Sequence, residues 1–248
     1  MLFSSEAWGN LSKVDDSLLK NEAKALKSCL GIKSGTSTEL VYQEINKPDI
    51  IAIIKDRQFK FAEKIKKLGK DEALVKEIWD ICIVDGQPTS LRQYYEQIGS
   101  NNAETNINER RSKIETSEQS MCIRYKTIIG LEYCPTLYQS CLDDTKRKMI
   151  TRWRMSSHKL RIETGRFSRP FIERKDRLCQ VCSVIEDEEH ALYDCSAHRV
   201  IREKYRDSLH LERRNIKELF NPADVDLAKK LAAFLSEIEE NMKDLEMT

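Results

Sequence analysis

The sequence predicts an all-α fold: helical bundle segments followed by a small Cys-Cys-His-Cys zinc knuckle and C-terminal helices. Only eight glycines and five prolines punctuate 248 residues, which argues against many short strands joined by turns. Apolar residues recur at helical spacing nearly everywhere, and no internal repeat interrupts them. Three of the eight cysteines cluster with a histidine at metal-ligand spacing near the C-terminus.

Leu11, Val14, Leu18, Leu26 and Leu30 lie on one helical face that stops at Gly31, a residue suited to a left-handed helix terminus. Ser37 or Thr36 can cap a short second helix through Ile45. Pro48 and Asp49 then open a third, with Ile50, Ile54, Phe61, Ile65 and Leu68 on its apolar face and Gly69 at its end. Residues 71–84 and 88–98 repeat the pattern more weakly, with Trp79, Tyr94 and Tyr95 as core or interface anchors. Together, residues 1–99 read as a thumb-like helical domain. The polar stretch SNNAETNINER, residues 100–110, reads as a linker. Residues 111–170 form a helical domain in which a helix to about residue 130 precedes a longer one near residues 136–163. Residues 171–210 hold the knuckle and a following helix, and 211–248 the C-terminal helix. There Asn221 and Pro222 serve as cap and first turn, and Leu231, Phe234, Leu235, Ile238, Met242 and Leu245 share a face opposite an acidic, exposed one.

The net charge of +1 conceals a strong asymmetry. Residues 146–177 hold twelve Lys and Arg against three acids, a net +9, leaving −8 elsewhere. Such clustering suits a polyanionic partner, because cations gain affinity by releasing counterions from phosphates. The competing reading is a solvated, charged helix surface. At 100° per residue, Leu142, Met149, Trp153 and Leu160 point within about 20° of one direction. Arg147, Arg154 and Arg161 flank that stripe on one side and Lys148, Arg152 and Lys159 on the other; Arg166 and Arg169 extend the set. Arg makes forked contacts to phosphate oxygens. Trp153 suits either the core or a base-stacking role.

The segment CQVCSVIEDEEHALYDC gives Cys179-x2-Cys182-x7-His190-x4-Cys195. Zinc takes four such ligands at about 2.0–2.3 Å, and two short ligand pairs across a loop provide them at little closure cost. With no position left for water, the site is expected to be structural rather than hydrolytic. His198 is a substitute ligand, although it falls within the helical run HRVIREKY. Glu186 to Glu189 lie in the knuckle loop, where they can tie down Arg or Lys from the basic segment. Cys29, Cys82, Cys122, Cys134 and Cys141 lack pairing cues and read as buried thiols. No apolar run approaches the roughly 20 residues of a membrane span, nor does the start MLFSSEAWGN resemble a signal peptide. An intracellular protein, nuclear or cytoplasmic, is expected.

These residues resemble a known arrangement. Leu160-Arg161-Ile162-Glu163-Thr164-Gly165-Arg166-Phe167, then Arg177-Leu178-Cys179-x2-Cys182, then Glu186-Asp187-Glu188-Glu189-His190 and Cys195 look like the C-terminal zinc-knuckle region of non-LTR (LINE-like) retrotransposon polyproteins. LFSSEAWG, LKSCLGIKSGTSTELVYQEINKP and IKDRQFKFAEKI are similar to the segment after the reverse-transcriptase palm in that family. The resemblance implies a helical thumb, a linker and a knuckle that handles template RNA or target DNA. The exposed apolar face expected on an orphan thumb suggests a separately encoded palm as a further partner, complemented in trans; no small-molecule substrate is expected. Asp15-Asp16 and Asp143-Asp144 lack the aromatic that a palm Asp-Asp turn needs to hold two metal ions. No Pro-Asp and Glu-x-Lys pair of an endonuclease follows Cys195, and no glycine-rich phosphate loop occurs anywhere. The sequence therefore reads as a non-catalytic, zinc-dependent nucleic-acid-binding fragment. The alternative is a helical protein-interaction module in which zinc is only a structural staple.

Overall fold

The computed structural model describes residues 15–67, 83–84, 87–88 and 103–246, and over these the chain is all-α. In order come α1 (Asp15–Leu30), α2 (Thr38–Glu44), α3 (Ile50–Lys66), α4 (Ala103–Thr116), α5 (Ser120–Ile128), α6 (Pro135–Tyr138), α7 (Asp144–Arg154), α8 (Arg161–Thr164), α9 (Arg199–Leu209), α10 (Ile216–Phe220) and α11 (Val225–Glu246). Between α3 and α4, β1 (Ile83–Val84) pairs antiparallel with β2 (Gln87–Pro88), Ile83 opposite Pro88. Residues 83–84, expected at the end of a helix, are therefore extended. Pro88, expected to start a helix, is extended too; residues 71–82 and 89–98, with Trp79, Tyr94 and Tyr95, lie outside the described residues, as do Leu11, Val14, Leu68, Gly69 and Cys82.

Two compact units divide the chain: Met1–Ala25 with Asn46–Lys113, and Leu26–Ile45 with Ile114–Thr248. In the first, Asp49 caps α3 by accepting from the Ala52 amide at 2.8 Å, as the sequence predicts. Asn106 donates to the Asp49 carboxylate at 3.0 Å, and buried Arg110 donates to the Lys47 carbonyl at 2.8 Å and to Asn106 at 2.7 Å. This corrects the expected linker at 100–110. Its residues from Ala103 onward are helical, and Asn106 and Arg110 bind the start of α3 while Glu104, Asn108 and Glu109 face water. Polarity alone does not separate a linker from a helix that packs through hydrogen bonds.

In the second unit Gly31 ends α1 at φ +67° and Ser37 precedes α2, both as expected. The helix expected over 136–163 is instead three pieces, α6, α7 and α8. Asp143 starts α7 by accepting from the amides of Thr145 and Lys146. The helix stops at Met155, followed by Ser156 at φ +48°. Ser157 explains the stop: its amide closes the turn on the Arg152 carbonyl at 2.7 Å, while its hydroxyl accepts from the Lys33 amide and bonds Thr36 at 3.2 Å. Short hydroxyl side chains that find such partners compete with helix continuation.

Long α11 organises the core, packing α7 and α9 against itself. Trp153, Phe220, Phe234, Leu235 and Ile238 are fully buried there, each contributing about 1.5–3 kcal/mol by leaving water. Leu231 and Met242 of the predicted face are buried as well, whereas Leu245 is half-buried. The start of α11 differs from expectation, since Asp224 rather than Asn221 accepts the first amide, that of Leu227, at 2.8 Å. Asn221 is occupied elsewhere: its amide donates to the carbonyls of Ile129 and Lys217, and its oxygen accepts from Arg154. The opposite face of α11 is not wholly exposed, because Glu239 is buried against Trp153, whose indole N–H donates to it at 3.0 Å. Trp153 is thus a core residue. No helix among the described residues is long and apolar enough to cross a membrane.

Candidate metal centre and the basic groove beside it

Cys179 and Cys182 sit on a tight hairpin. An isolated bridge pairs Leu178 with Ile185, the Cys179 amide donates to the Val184 carbonyl at 2.7 Å, and Ser183 makes the bend at φ +57°. The second ligand pair comes from a wide helical turn, His190–Asp194, in which the Cys195 amide donates to the His190 carbonyl at 2.7 Å. That i to i+5 bond returns the chain so that Cys195 faces the hairpin. Asp187 holds the start of the turn by accepting from the His190 amide at 3.0 Å.

The predicted ligands converge. Their donor atoms all lie within 4.8 Å of one another, with the Cys195 Sγ 3.7 Å from that of Cys179 and 3.9 Å from that of Cys182. A tetrahedral ion with bonds of about 2.3 Å separates its sulfur ligands by about 3.8 Å, so these distances are edges of a metal-sized tetrahedron. Buried His190 Nε2 has no hydrogen-bond partner among the described residues, and an orphaned imidazole nitrogen beside three thiols suits a metal ligand. Burial pushes the Cys195 thiol up to about 12, so ionising it needs a nearby cation. The Ser196 hydroxyl and amide, 3.1 and 3.4 Å from the Cys182 Sγ, lower that thiol. His198, the substitute ligand, is buried with its Nδ1 2.9 Å from the Asn241 amide nitrogen and stands outside the cluster.

The knuckle docks onto α8. Glu186 accepts the Arg161 amide at 2.7 Å through its carboxylate and the Ile162 amide at 3.1 Å through its carbonyl. Glu188 is buried between Arg124 and His158, with His158 Nε2 at 2.8 Å, and despite its burial these partners hold its carboxyl down at about 2. The loop acids therefore bind backbone, a histidine and an arginine from α5, rather than the basic side chains of 146–177 expected for them.

The eight cations predicted to face nucleic acid separate. Arg154 does not reach solvent: it is fully buried against Glu44 at 2.5 Å and donates to the Phe220 carbonyl at 2.5 Å. Helical spacing placed it on a flank, but that flank faces the core. Arg147 and Lys148 pair with Asp144, Arg152 with Glu239 at 3.5 Å, and Arg166 with Glu163 at 3.3 Å. Lys159 and Arg169 are exposed and Arg161 is half-buried, none with an ion pair among the described residues. Exposed Lys146 and Arg174 join them.

Sequence reading also missed a groove of about 640 Å³ between α5, α8 and the knuckle. Phe167, Phe171, Ile123, Arg166, Arg174 and Arg177 line it, with buried Glu163 and Glu188 behind them. Phe167 and Phe171 are 65% and 64% exposed. The signal was present as two phenylalanines four residues apart inside a run of arginines, RFSRPFIERKDR. Of the other cysteines, Cys122 and Cys134 are buried thiols as expected, whereas Cys29 and Cys141 are exposed. No family model, curated protein or solved structure matches the chain.

Proposed function

We propose that this chain is a zinc-dependent nucleic-acid-binding fragment, related to the reverse transcriptases of non-LTR retrotransposons, that holds template RNA or target DNA and does not itself catalyse. One observation carries the reading: a metal-ligand cluster is hydrogen-bonded to a segment of net +9 whose Lys146, Lys159, Arg161, Arg169 and Arg174 have no ion pair among the described residues. Unpaired cations attract a phosphate backbone at little cost, whereas paired ones must first leave their acids. Three thiolates and an imidazole suit zinc, and with four protein ligands the ion fixes the fold instead of activating water. Cys179, Cys182, His190 and Cys195 would hold it.

The test is a filter-binding titration of the zinc-loaded chain against RNA and DNA across salt concentrations. Replacing Lys146, Lys159, Arg169 and Arg174 with Gln is expected to weaken binding and to reduce the log–log salt slope by about 3–4. Affinity that ignores both salt and these substitutions would contradict the proposal. The pairing of Arg147, Lys148, Arg152 and Arg166 with acids favours a second reading, in which zinc staples a protein-interaction module. That reading expects no salt-dependent nucleic-acid binding at all.

A further inference from the structure

We propose that the groove beside the knuckle takes a single strand of nucleic acid, one base stacked on Phe167 and another on Phe171, with Arg166, Arg169 and Arg174 on its phosphates. This inference rests on the nucleic-acid reading above and assigns it a place and a strand form.

Two exposed phenylalanines on one groove are costly in water, so something is expected to cover them. The residues around them indicate what. Lys33 Nζ and the Arg166 guanidinium each lie 5.9 Å from the centre of the Phe167 ring, and the Arg177 guanidinium lies 5.4 Å from that of Phe171. From Arg166 to Arg177 the loop carries five cations and two acids. Four acids also line the groove: Glu163 is bracketed by Arg124 and Arg166, Glu188 by Arg124 and His158, Asp187 accepts from the His190 amide, and Glu189 is exposed. Exposed rings with a cation beside each match a ligand with flat apolar faces and a negative backbone. Aromatic rings beside a positive groove are the recurring means of holding single strands, because every base offers a stacking face. In a duplex those faces are already stacked inside, so a duplex can use the cations but not the rings.

Arg177 is itself a positioning residue. It donates to the carbonyls of Ile162 at 2.8 Å and Ile172 at 3.0 Å, holding the segment that carries Phe171 against α8. Because both phenyl rings are mostly in solvent, removing them leaves the core intact.

Fluorescence anisotropy with a labelled oligo(dT) of about 15 nucleotides, its oligo(rU) counterpart and a hairpin duplex tests this. For zinc-loaded F167A/F171A, single-strand affinity is expected to fall about tenfold for each ring, about a hundredfold for the pair. Zinc content, circular dichroism and duplex affinity should stay as in the parent, and F167W/F171W should restore strand binding. If the alanine pair binds strands like the parent while binding remains salt-dependent, the groove assignment is wrong and the broader nucleic-acid reading stands. If neither strand nor duplex binds, both fail. If light scattering shows a parent dimer that the alanine pair dissociates, a second copy of the chain covers the groove and the inference is overturned.

Discussion

Glu44 is the residue whose loss should be felt furthest. Its carboxylate, fully buried like the guanidinium of its partner Arg154, accepts from Arg154 Nε at 2.5 Å and Nη2 at 3.1 Å, and from the hydroxyls of Tyr125 and Tyr138 at 2.6 Å each. Glu44→Ala leaves a guanidinium with no counter-charge and two buried hydroxyls without their acceptor. Removing one partner of a buried pair costs about 3–5 kcal/mol, against a total stability of about 5–15 kcal/mol. The variant should still fold, with its urea midpoint lowered by roughly 1–2 M for a slope of about 2–3 kcal/mol per M. Arg154→Met should cost less, since a stranded carboxylate can take up a proton whereas a stranded guanidinium cannot release one. The E44A/R154M pair should then be more stable than the sum of the single losses implies, with a coupling of about 2 kcal/mol or more. Urea unfolding followed by tryptophan fluorescence in zinc-containing buffer reads all four proteins. Additive losses, or an E44A loss below about 1 kcal/mol, would refute the claim that this pair is a buried electrostatic link.

Two further outcomes follow from the same geometry. If the Cys179–Cys195 cluster holds an ion as proposed, chelation, or replacing Cys195 with Ser, should lower thermal stability sharply because metal affinity on the order of 10 kcal/mol is coupled to folding; Cys29→Ser, at an exposed thiol away from the cluster, should leave the melting temperature unchanged. A Cβ on Gly165 would lie 2.8 Å from Arg177 Cγ and 2.9 Å from the Arg161 carbonyl, so Gly165→Ala should cost about 1–3 kcal/mol as overpacking in a denaturant titration, and no loss would mean that Arg177 gives way freely.

Local chemistry made part of this fold readable. Gly31 and Asp49 mark helix ends because each acts within a few residues of itself, and the four candidate ligands could be named from their spacing, with His198 as the one substitute. The face of α11 was legible for the same reason, as a long helix repeats its signal. What escaped depends on partners distant in sequence. Arg154 sits seven residues from Arg147 on a helical wheel, but the carboxylate that removes it from the surface is 110 residues away. The break after α7 needs Lys33 and Thr36 to engage Ser157, more than 120 residues along the chain. Residues 103–110 look like a linker until Asp49 supplies a partner for Asn106 and Arg110.

Under the proposed function, the hydrogen bonds that dock the knuckle would link the metal centre to the groove. Glu186 of the knuckle holds the amides of Arg161 and Ile162, and the Ile162 carbonyl in turn receives Arg177, which holds the Ile172 carbonyl beside Phe171. Losing the ion would free the hairpin that carries Glu186, and α8, with only four residues, has too few internal bonds to persist without that cap. Phe167 and Phe171 would then lose their fixed spacing, while the exposed cations Lys146 and Lys159, anchored on and just beyond α7, would keep theirs. Zinc should therefore matter more for single strands than for duplex, because only the strand needs two rings held at a set separation.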